Sequence, residues 1–267
     1  MSEYKLGFIG AGSMAEALIS GLIDSGKASS KQIIASDITE ERRELIEMEY
    51  GIKTISDNQE VVAKSDYVIL AVKPQVIGGV LEELNGSFTK DQKVFSIAAG
   101  VSTAKIEEII GVNISVVRIM PNTPALVKEG AIAYSLGSYA SQELGEEVEE
   151  LLNPIGTVVQ VKEKLMDVVT GLSGSGPAYV LLVLEALVAG GIKMGLSQKK
   201  AKDLAIQTLI GTAKLAAESD QHLAALKDQV TSPAGTTAEG LYKLEEAGLR
   251  AGLMEAVIAA TERSKEL

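Results

Sequence analysis

The sequence lacks cysteine and tryptophan, has a single histidine, His222, and is only 4% aromatic. The absence of cysteine excludes disulfides, thiolate zinc sites and cysteine nucleophiles. No tract of about 18 apolar residues is present, since Glu185 interrupts the longest apolar stretch, 178–192, so no membrane span is predicted. No charged region followed by an apolar one opens the chain, and we therefore expect no secretory signal.

Basic residues are fewer than acidic ones. The chain has 25 Lys and Arg against 36 Asp and Glu, which gives a net charge of −11. Because no basic stripe offsets this charge, nucleic acid is not an expected partner. The 267 residues are 46% hydrophobic, which suffices for one large or two ordinary domains with well-buried cores. These features predict a soluble, cytoplasmic protein without a nucleic-acid or membrane partner.

A glycine-rich turn, Gly10-Ala-Gly-Ser-Met-Ala15, lies between a predicted buried strand, 5–9, and a predicted helix, 13–25. Gly10 allows the tight turn and Gly12 lets the backbone approach a pyrophosphate, while Ala15 keeps the helix close to the strand. The N–H groups at the helix start then bind the phosphates. With a further strand over 32–36 next, this setting predicts a dinucleotide-binding turn.

Strand-like apolar runs alternate with helical patterns up to about Val161. The predicted strands are residues 5–9, 32–36, 67–72, 94–98 and 115–119, with two further strands at 131–135 and 157–161. The predicted helices between them are residues 40–50, 75–84 and 103–110. Near-continuous apolar strands separated by helices indicate an α/β fold with a doubly wound, mostly parallel sheet covered on both faces.

Beyond Lys164 every long pattern has a helical period, so a smaller all-α domain is predicted to follow the sheet. Its predicted helices are residues 177–194, 198–218, 223–229, 238–246 and 252–263. We therefore divide the chain into a dinucleotide-binding domain, 1–162, and a helical domain, 163–267. The apolar helices 177–194 and 198–218 have more apolar surface than one helical layer can bury, which predicts that this domain forms the interface of a dimer.

Ligands of a doubly wound sheet bind at the carboxyl ends of its strands. Small, turn-forming or polar residues follow four of the predicted strands here. They are Ser36-Asp37, Ala71-Val-Lys-Pro74, Ala98-Ala-Gly-Val101 and Met120-Pro-Asn-Thr-Pro124. Ordinary βα loops are rich in the same residues, so each loop taken alone is equally compatible with a plain turn.

Seven motifs, GFIGAGSMAEAL, AVKP, SIAAGV, MPNTP, GLSGSGPAY, LKDQV and SPAGTTAE, occur in the order and at about the spacing of the pyrroline-5-carboxylate reductases, over residues 5–265. The resemblance implies hydride transfer from NADPH or NADH to the C=N bond of 1-pyrroline-5-carboxylate, which gives L-proline in the last step of proline biosynthesis. It also implies a Rossmann-like first domain, no metal, and a helical second domain that forms a homodimer, often within a ring of dimers.

The resemblance also assigns roles to residues of the first domain. Residues 10–14 would hold the pyrophosphate, Asn58 and Lys73 would face the ribose and nicotinamide, and residues 98–100 would back the nicotinamide. The cofactor-binding residues that we expect are Gly10, Ala11, Gly12, Ser13, Met14, Ser36, Asp37, Asn58, Ala71, Val72, Lys73, Pro74, Ala98, Ala99, Gly100 and Asn122.

The substrate carboxylate would meet the turn 232–237, and the Thr237 hydroxyl resembles the group that hydrogen-bonds the pyrroline nitrogen. Thr237 is therefore the expected catalytic residue, and its alternative role is the N-cap of the helix 238–246. His222 is expected to be a surface or cap residue. The substrate-binding residues that we expect are Glu163, Ser232, Gly235, Thr236 and Thr237.

Four positions depart from the family pattern. Lys162 and Lys164 flank Glu163 where the family has an acidic run, and Ala234 replaces a glycine of the SPAGTT turn. Asp37 stands where many members have serine, asparagine or a basic residue and favour NADPH.

A carboxylate at the end of the second strand accepts hydrogen bonds from the ribose 2′-OH of NADH and repels the 2′-phosphate of NADPH. Asp37 therefore predicts good use of NADH, with NADPH used less well or comparably. Alternatively, Asp37 caps the helix that begins near Thr39. Lys31 or Arg42 could also fold back toward a phosphate, to which Ser36 could donate.

Two other interpretations are open. The β-hydroxyacid dehydrogenases share the opening motif and a helical second domain, but their lysine and asparagine are missing after Gly176, where Pro177-Ala-Tyr-Val-Leu-Leu-Val-Leu184 follows. A non-catalytic nucleotide sensor could use the same fold. It would not need both GLSGSGPAY and SPAGTT, and an NAD(P)H oxidation assay would decide.

Overall fold

A computed structural model describes residues 2–111 and 113–266 of the chain. The chain divides into two compact units. The sheet unit contains the residues up to Ser175 together with those from Ile258 onward, and the helical unit is Gly176–Val257. The domain division that the sequence suggests, 1–162 and 163–267, stays a prediction.

The sheet unit contains an eight-stranded sheet with the order β3-β2-β1-β4-β5-β6-β7-β8. Neighbouring strands are parallel, except that β6 and β7 are antiparallel. This confirms the prediction of a doubly wound, mostly parallel sheet. The strands are β1 Tyr4–Ile9, β2 Ile33–Ser36, β3 Lys53–Ile55, β4 Ser65–Leu70, β5 Lys93–Ser96, β6 Ser115–Met120, β7 Gly130–Leu136 and β8 Gly156–Gln160.

The register aligns the carboxyl ends of the central strands. Ile9 at the end of β1 pairs with Ser36 of β2 on one side and with Leu70 of β4 on the other. The residues that follow these three strands therefore lie next to one another at one edge of the sheet. Doubly wound sheets bind their ligands at this edge, because the turns after the strands have backbone groups that are not hydrogen-bonded within the sheet.

Helices cover both faces of the sheet. They are α1 Ser13–Asp24, α2 Glu40–Tyr50, α3 Asn58–Lys64, α4 Pro74–Glu83, α5 Thr103–Ile110, α6 Gln142–Leu152 and α7 Met166–Val169. Side chains alternate along β1, since Phe8 packs in one buried cluster with Leu18 of α1, whereas Ile9 packs in another with Val62 of α3 and Ile77 of α4. Each face thus has its own apolar core.

All seven predicted strands are present, with ends that differ by at most two residues. The sequence analysis missed four of the named strands and helices of the sheet unit, namely β3, α3, α6 and the short α7. β3 has only three residues and begins with the exposed Lys53. It is a strand because it hydrogen-bonds to β2, which a pattern of hydropathy does not reveal.

The helical unit begins with α8 Gly176–Lys193, which is followed by α9 Gln198–Ala217, α10 Leu223–Gln229, α11 Thr236–Glu246 and α12 Leu249–Lys265, whose last turns belong to the sheet unit. Many large apolar side chains are exposed in the single chain. Leu181, Leu182 and Leu204 are each more than half exposed. Such surface is typical of an interface between subunits.

One segment, Glu163–Lys193, also has the length and composition of a membrane-crossing helix, with a mean hydropathy of 1.6. The most apolar part of this segment is not buried in the single chain. A subunit interface accounts for the same exposed apolar surface.

Candidate functional site

The glycine-rich turn after β1 has the backbone that a phosphate site needs. Gly10 has a φ of 95°, and a Cβ at Gly10 would lie 2.8 Å from the carbonyl oxygen of Ala71, so only glycine fits there. Gly12 is the N-cap of α1 and supplies no side-chain cap, and a Cβ there would meet nothing within 4 Å. Ala15 is fully buried beneath the turn. The first N–H groups of α1 are thus open to an anion.

A cleft with a volume of about 390 Å³ begins at this turn and lies wholly in the sheet unit. Such a volume is within the usual range for a small-molecule or cofactor site. The lining residues are Gly12, Ser13, Met14, Ala71, Val72, Lys73, Ile97, Met120, Pro121, Asn122, Thr123 and Gly174. The cleft therefore combines expected cofactor-binding residues from three separate loops.

The Asp37 carboxylate holds the glycine turn to the end of β2. Its Oδ2 accepts from the backbone N of Ala11 at 2.9 Å, and its Oδ1 accepts from the backbone N of Thr39 at 2.9 Å. The carbonyl oxygen of Asp37 accepts from Arg43 at 2.7 Å. Each carboxylate oxygen has a further lone pair, so these contacts leave acceptor capacity for a ligand.

Arg42 folds back onto the glycine turn, where its partners are protein groups. Its guanidinium donates to the carbonyl oxygen of Ala11 and pairs with Glu16 of α1. The Tyr50 hydroxyl donates to the other oxygen of Glu16 at 3.1 Å, and burial together with this hydrogen bond raises the pKa of Tyr50 to about 12. The Arg42 charge is therefore compensated inside the protein. Lys31 lies exposed in a short 3-10 helix, Ser30–Gln32.

Ser36 is fully buried, and its hydroxyl donates to Oδ1 of Asn58 at 2.7 Å. The amide nitrogen of Asn58 is 3.4 Å from a carboxylate oxygen of Glu83. Ser36 thus orients Asn58 from below and does not reach the surface, where a phosphate would bind.

The loops after β4 and β5 carry most of the remaining expected cofactor residues. Lys73 is exposed at the N-cap position of α4, and Pro74 is the first residue of that helix. Ala98 is buried, whereas Ala99 and Gly100 are half-buried, and Gly100 has a φ of 74°. Pro74 and residues 98–100 do not line the cleft, whereas Ile97 does.

The loop after β6 contributes more to the cleft than sequence reasoning assigned. Only Asn122 was expected here, yet Met120, Pro121 and Thr123 also line the cleft. Gly174, which is far away in the sequence, lines it as well. The MPNTP and GLSGSGPAY motifs contain these residues, and the position of residues 120–124 at the carboxyl end of a strand was a second signal for the first group.

Glu163 lies in the sheet unit, and both of its carboxylate oxygens have partners there. Oε1 accepts from the backbone N of Thr103 at 2.6 Å, and Oε2 accepts from its hydroxyl at 2.8 Å. Arg118, which is buried, lies 3.9 Å from Oε1. Glu163 thus holds the start of α5, and its role toward a substrate stays a prediction.

The turn before α11 has the signature of a type II turn. The backbone N of Gly235 donates to the carbonyl oxygen of Ser232 at 3.0 Å, Pro233 is the second residue and Ala234 is the third, with a φ of 55°. A Cβ at Gly235 would lie 2.2 Å from Oγ of Ser232, so a side chain there would clash unless Ser232 moved.

Thr237 is the second residue of α11, whose N-cap is Gly235. The alternative role of Thr237 as a helix N-cap is therefore wrong, since the helix begins two residues earlier than predicted. The side chain of Thr237 is half-buried. Gly235 supplies no side-chain cap, so the first turn of α11 offers N–H groups that an anion can bind.

His222 is the N-cap of α10 and is exposed, and its Nδ1 accepts from the backbone N of Ala224 at 3.2 Å. This confirms that it is a surface cap residue. Among residues 2–111 and 113–266, no three His, Asp or Glu side chains are grouped as a metal site would need.

Comparison with known proteins gives matches over the whole chain. Residues 163–267 match the family model described as pyrroline-5-carboxylate reductase dimerisation, and residues 5–100 match that described as NADP oxidoreductase, coenzyme F420-dependent. The chain is 47% identical over 267 residues to the pyrroline-5-carboxylate reductase of Methanosarcina acetivorans, covering 100% of this chain and 99% of the relative. It is 42% identical to that of Arabidopsis thaliana, covering 99% and 96%.

A crystal structure of Plasmodium falciparum pyrroline carboxylate reductase with NADP bound has a TM-score of 0.90 to this chain. The two chains are 35% identical, with 100% of this chain and 98% of the other covered. The family model for dimerisation includes α8 and α9, which carry the exposed apolar side chains described above.

Ala234 provides a test of the turn before α11. A non-glycine residue with positive φ costs about 1–2 kcal/mol relative to glycine. We expect Ala234→Gly to raise the free energy of unfolding by about 0.5–1 kcal/mol, because the added flexibility of the unfolded chain offsets part of the relieved strain. Urea denaturation measures this difference. The control, Ala238→Gly in α11, should lower stability by about 1 kcal/mol, and a loss of stability in Ala234→Gly would contradict the turn geometry.

Proposed function

This chain belongs to the pyrroline-5-carboxylate reductase family, and we propose how its own residues carry out the reaction. It is an NAD(P)H-dependent oxidoreductase that reduces the C=N bond of 1-pyrroline-5-carboxylate to give L-proline. The observation that carries the proposal is the cleft beside the uncapped start of α1, where Gly12 leaves open space for a pyrophosphate. Bound NADPH or NADH supplies the hydride for the reaction.

The cofactor would lie along the carboxyl edge of the sheet. The turn 10–14 would hold the pyrophosphate by backbone N–H groups, in keeping with the open cradle at Gly12 and the close packing at Gly10. Asn58 and Lys73 would face the ribose and nicotinamide, and residues 98–100 would support the nicotinamide from the loop after β5. Of these, Lys73 lines the cleft and is exposed.

The Asp37 carboxylate would accept hydrogen bonds from the ribose 2′-OH in the adenosine half of the cofactor. The carboxylate is fixed by the N–H groups of Ala11 and Thr39, which orients it without satisfying all its lone pairs. Arg42, which donates to the carbonyl oxygen of Ala11 in the turn, is paired with Glu16. The Asp37 carboxylate would therefore repel a 2′-phosphate, and the charge of Arg42 is not free to offset this repulsion. We propose that NADH is used well, with NADPH used less well or comparably.

The substrate carboxylate would bind at the turn before α11, where Ser232, Gly235 and Thr236 surround uncapped N–H groups. The Thr237 hydroxyl would hydrogen-bond the ring nitrogen. A cyclic imine can arrive protonated, so reduction needs alignment and exclusion of water more than a strong general base. A neutral threonine is adequate for this task, and the single histidine, an exposed helix cap, is not needed.

The substitution Thr237→Val tests the hydroxyl. Losing one hydrogen bond to the substrate costs about 1–3 kcal/mol, which corresponds to a decrease of roughly 5- to 150-fold in kcat/KM for the imine. Cofactor affinity should be unchanged in a fluorescence titration. Thr157→Val, on the exposed face of β8, is a matched control that should retain full activity. An unchanged kcat/KM in Thr237→Val would remove Thr237 from the mechanism.

The substitution Asp37→Ser tests the cofactor choice. We expect the ratio of kcat/KM for NADPH to that for NADH to rise, because a charge that repels the 2′-phosphate is removed. Asp57 is a matched control, since its carboxylate also accepts from backbone N–H groups after a neighbouring strand, those of Gln59 and Glu60. Asp57→Ser should leave the ratio unchanged.

Asp37 is not the N-cap of α2, which is Thr39, so the capping alternative for Asp37 is wrong. If the wild type prefers NADPH by more than about tenfold and Asp37→Ser leaves the ratio unmoved, the Asp37 carboxylate only holds the backbone of Ala11 and Thr39 and does not bind the ribose.

The chain is an oligomer through its dimerisation region, and we propose further that it is a cytoplasmic enzyme whose dimers assemble into a ring. The exposed apolar residues of α8 support a dimer at least. Sedimentation should give an even multiple of the chain mass, and Leu182→Glu should reduce it because a charge is costly at an apolar interface. Lys199→Glu, on an exposed side chain of α9, is the control. A stable wild-type monomer would contradict the proposal.

A further inference from the structure

The GLSGSGPAY motif folds in a way that the proposed function does not yet use. Residues Thr170–Gly174 form a single π-helical turn, in which the backbone N of Ser175 donates to the carbonyl oxygen of Thr170 at 2.8 Å. Single π turns are rare, and they occur frequently at functional sites. Gly174, the last residue of this turn, lines the cleft beside Met120. The π turn is therefore part of the cleft wall.

A side chain at position 174 would require Met120 to move. A Cβ there would lie 2.8 Å from Cε of Met120, which itself lines the cleft. A methyl group at position 174 would therefore displace the end of the Met120 side chain. At this point the cleft wall consists of the Met120 side chain packed against the backbone of Gly174.

Asn122 connects the π turn to the sheet. Its side chain is 8% exposed, and both ends of its amide bind backbone. Nδ2 donates to the carbonyl oxygen of Ser173 at 3.0 Å, and Oδ1 accepts from the backbone N of Ala131 at 2.9 Å. One buried amide thus joins the loop after β6, the π turn and the start of β7. Removing either bond would leave Asn122 with only one of its two backbone anchors, Ser173 or Ala131.

This wall lies in the half of the cleft that faces the nicotinamide. The glycine turn follows β1, and a dinucleotide bound there places its adenosine toward β2 and its nicotinamide toward β4 and the strands beyond it. Met120 is the last residue of β6 and Asn122 follows it, two strands beyond β4 in the sheet. This step depends on the proposed function, because it takes the ligand to be a dinucleotide.

We propose that Asn122 is a positioning residue, which fixes the π turn 170–174 so that Gly174 and Met120 form a rigid wall for the nicotinamide. Asn122 acts through its two backbone partners and need not touch the cofactor. Rigid walls matter in hydride transfer because a displacement of about 1 Å can cost about a hundredfold in rate.

The substitution Asn122→Asp tests the proposal, since it keeps the shape and the acceptor for Ala131 but loses the donor to Ser173. Equilibrium titration with NADPH, NADH and ADP separates the two halves of the cleft. We expect Kd for the full cofactors to rise by about fivefold or more, with Kd for ADP unchanged. Hydrogen exchange of the Ser175 amide should become faster, because the π turn is less restrained.

The substitution Gly174→Ala disturbs the same wall at Met120 and leaves Asn122 unchanged. It should also weaken NADPH and NADH without affecting ADP, and its effect should not add to that of Asn122→Asp in the double variant, because neighbouring groups in one structure couple. Gly79→Ala is the matched control. Gly79 lies exposed in α4 with nothing within 4 Å of an added Cβ, and that variant should bind every ligand as the wild type does.

Two outcomes would overturn the proposal. If Asn122→Asp weakens ADP as much as NADPH, Asn122 supports the whole unit and not the nicotinamide wall. If NADPH affinity and Ser175 exchange are both unchanged, Asn122 does not position the π turn. A wild type that binds neither NADPH, NADH nor ADP would instead refute the proposed function, so the two failures are distinguishable.

Discussion

The hydrogen bond from the backbone N of Ala11 to the Asp37 carboxylate is the contact on which the cofactor cleft depends. β1 and β2 are held together by their backbone ladder, but this ladder ends at Ile9 and Ser36. Beyond that point the Asp37 side chain continues the connection, and Arg42 reinforces it by donating to the carbonyl oxygen of Ala11. The glycine turn is therefore held in place by groups that do not themselves bind the pyrophosphate.

A similar arrangement secures the residues between the sheet and the helical unit. The segment 163–175 is connected to the sheet unit through Glu163 on Thr103, Asp167 on Arg118 and Ser173 on Asn122. Ser264, near the end of the chain, also donates to Asp167 at 2.9 Å. Buried charges are costly unless they are paired and hydrogen-bonded, and Arg118 meets this requirement with two carboxylates. These polar contacts, together with the fully buried Met166, thus place this segment.

In the helical unit, exposed apolar surface is the main feature. α8 has no buried residue in the single chain, although its mean hydropathy is high enough for a core helix or a membrane span. Membership of a family whose model for this region describes dimerisation explains the surface, since a partner subunit would cover it. The turn before α11 is in the same unit, and Ala234 in the left-handed region there shows that this chain tolerates strain where glycine would relieve it.

The sequence by itself determined the fold class, the glycine turn and the family, because each of these rests on local patterns. Near-continuous apolar strands separated by helices require a parallel sheet, and Gly10 and Gly12 are needed by any backbone that makes this turn. The pattern also predicted His222 as a cap. The acidic helix α6 was missed although Leu144, Val148 and Leu152 recur at helical spacing, so that signal was available.

Only the tertiary structure decided which polar side chains face the cleft and which hold it together. Ser36 and Asn122 are polar residues at the carboxyl ends of β2 and β6, and Glu163 follows β8, which runs in the opposite direction. Each of the three is bonded to a group remote in sequence. Sequence patterns report which residues can bind a ligand, but a hydrogen bond between distant segments depends on how strands and helices pack. For the same reason, only the folded structure shows that Gly174 lies against the end of the Met120 side chain.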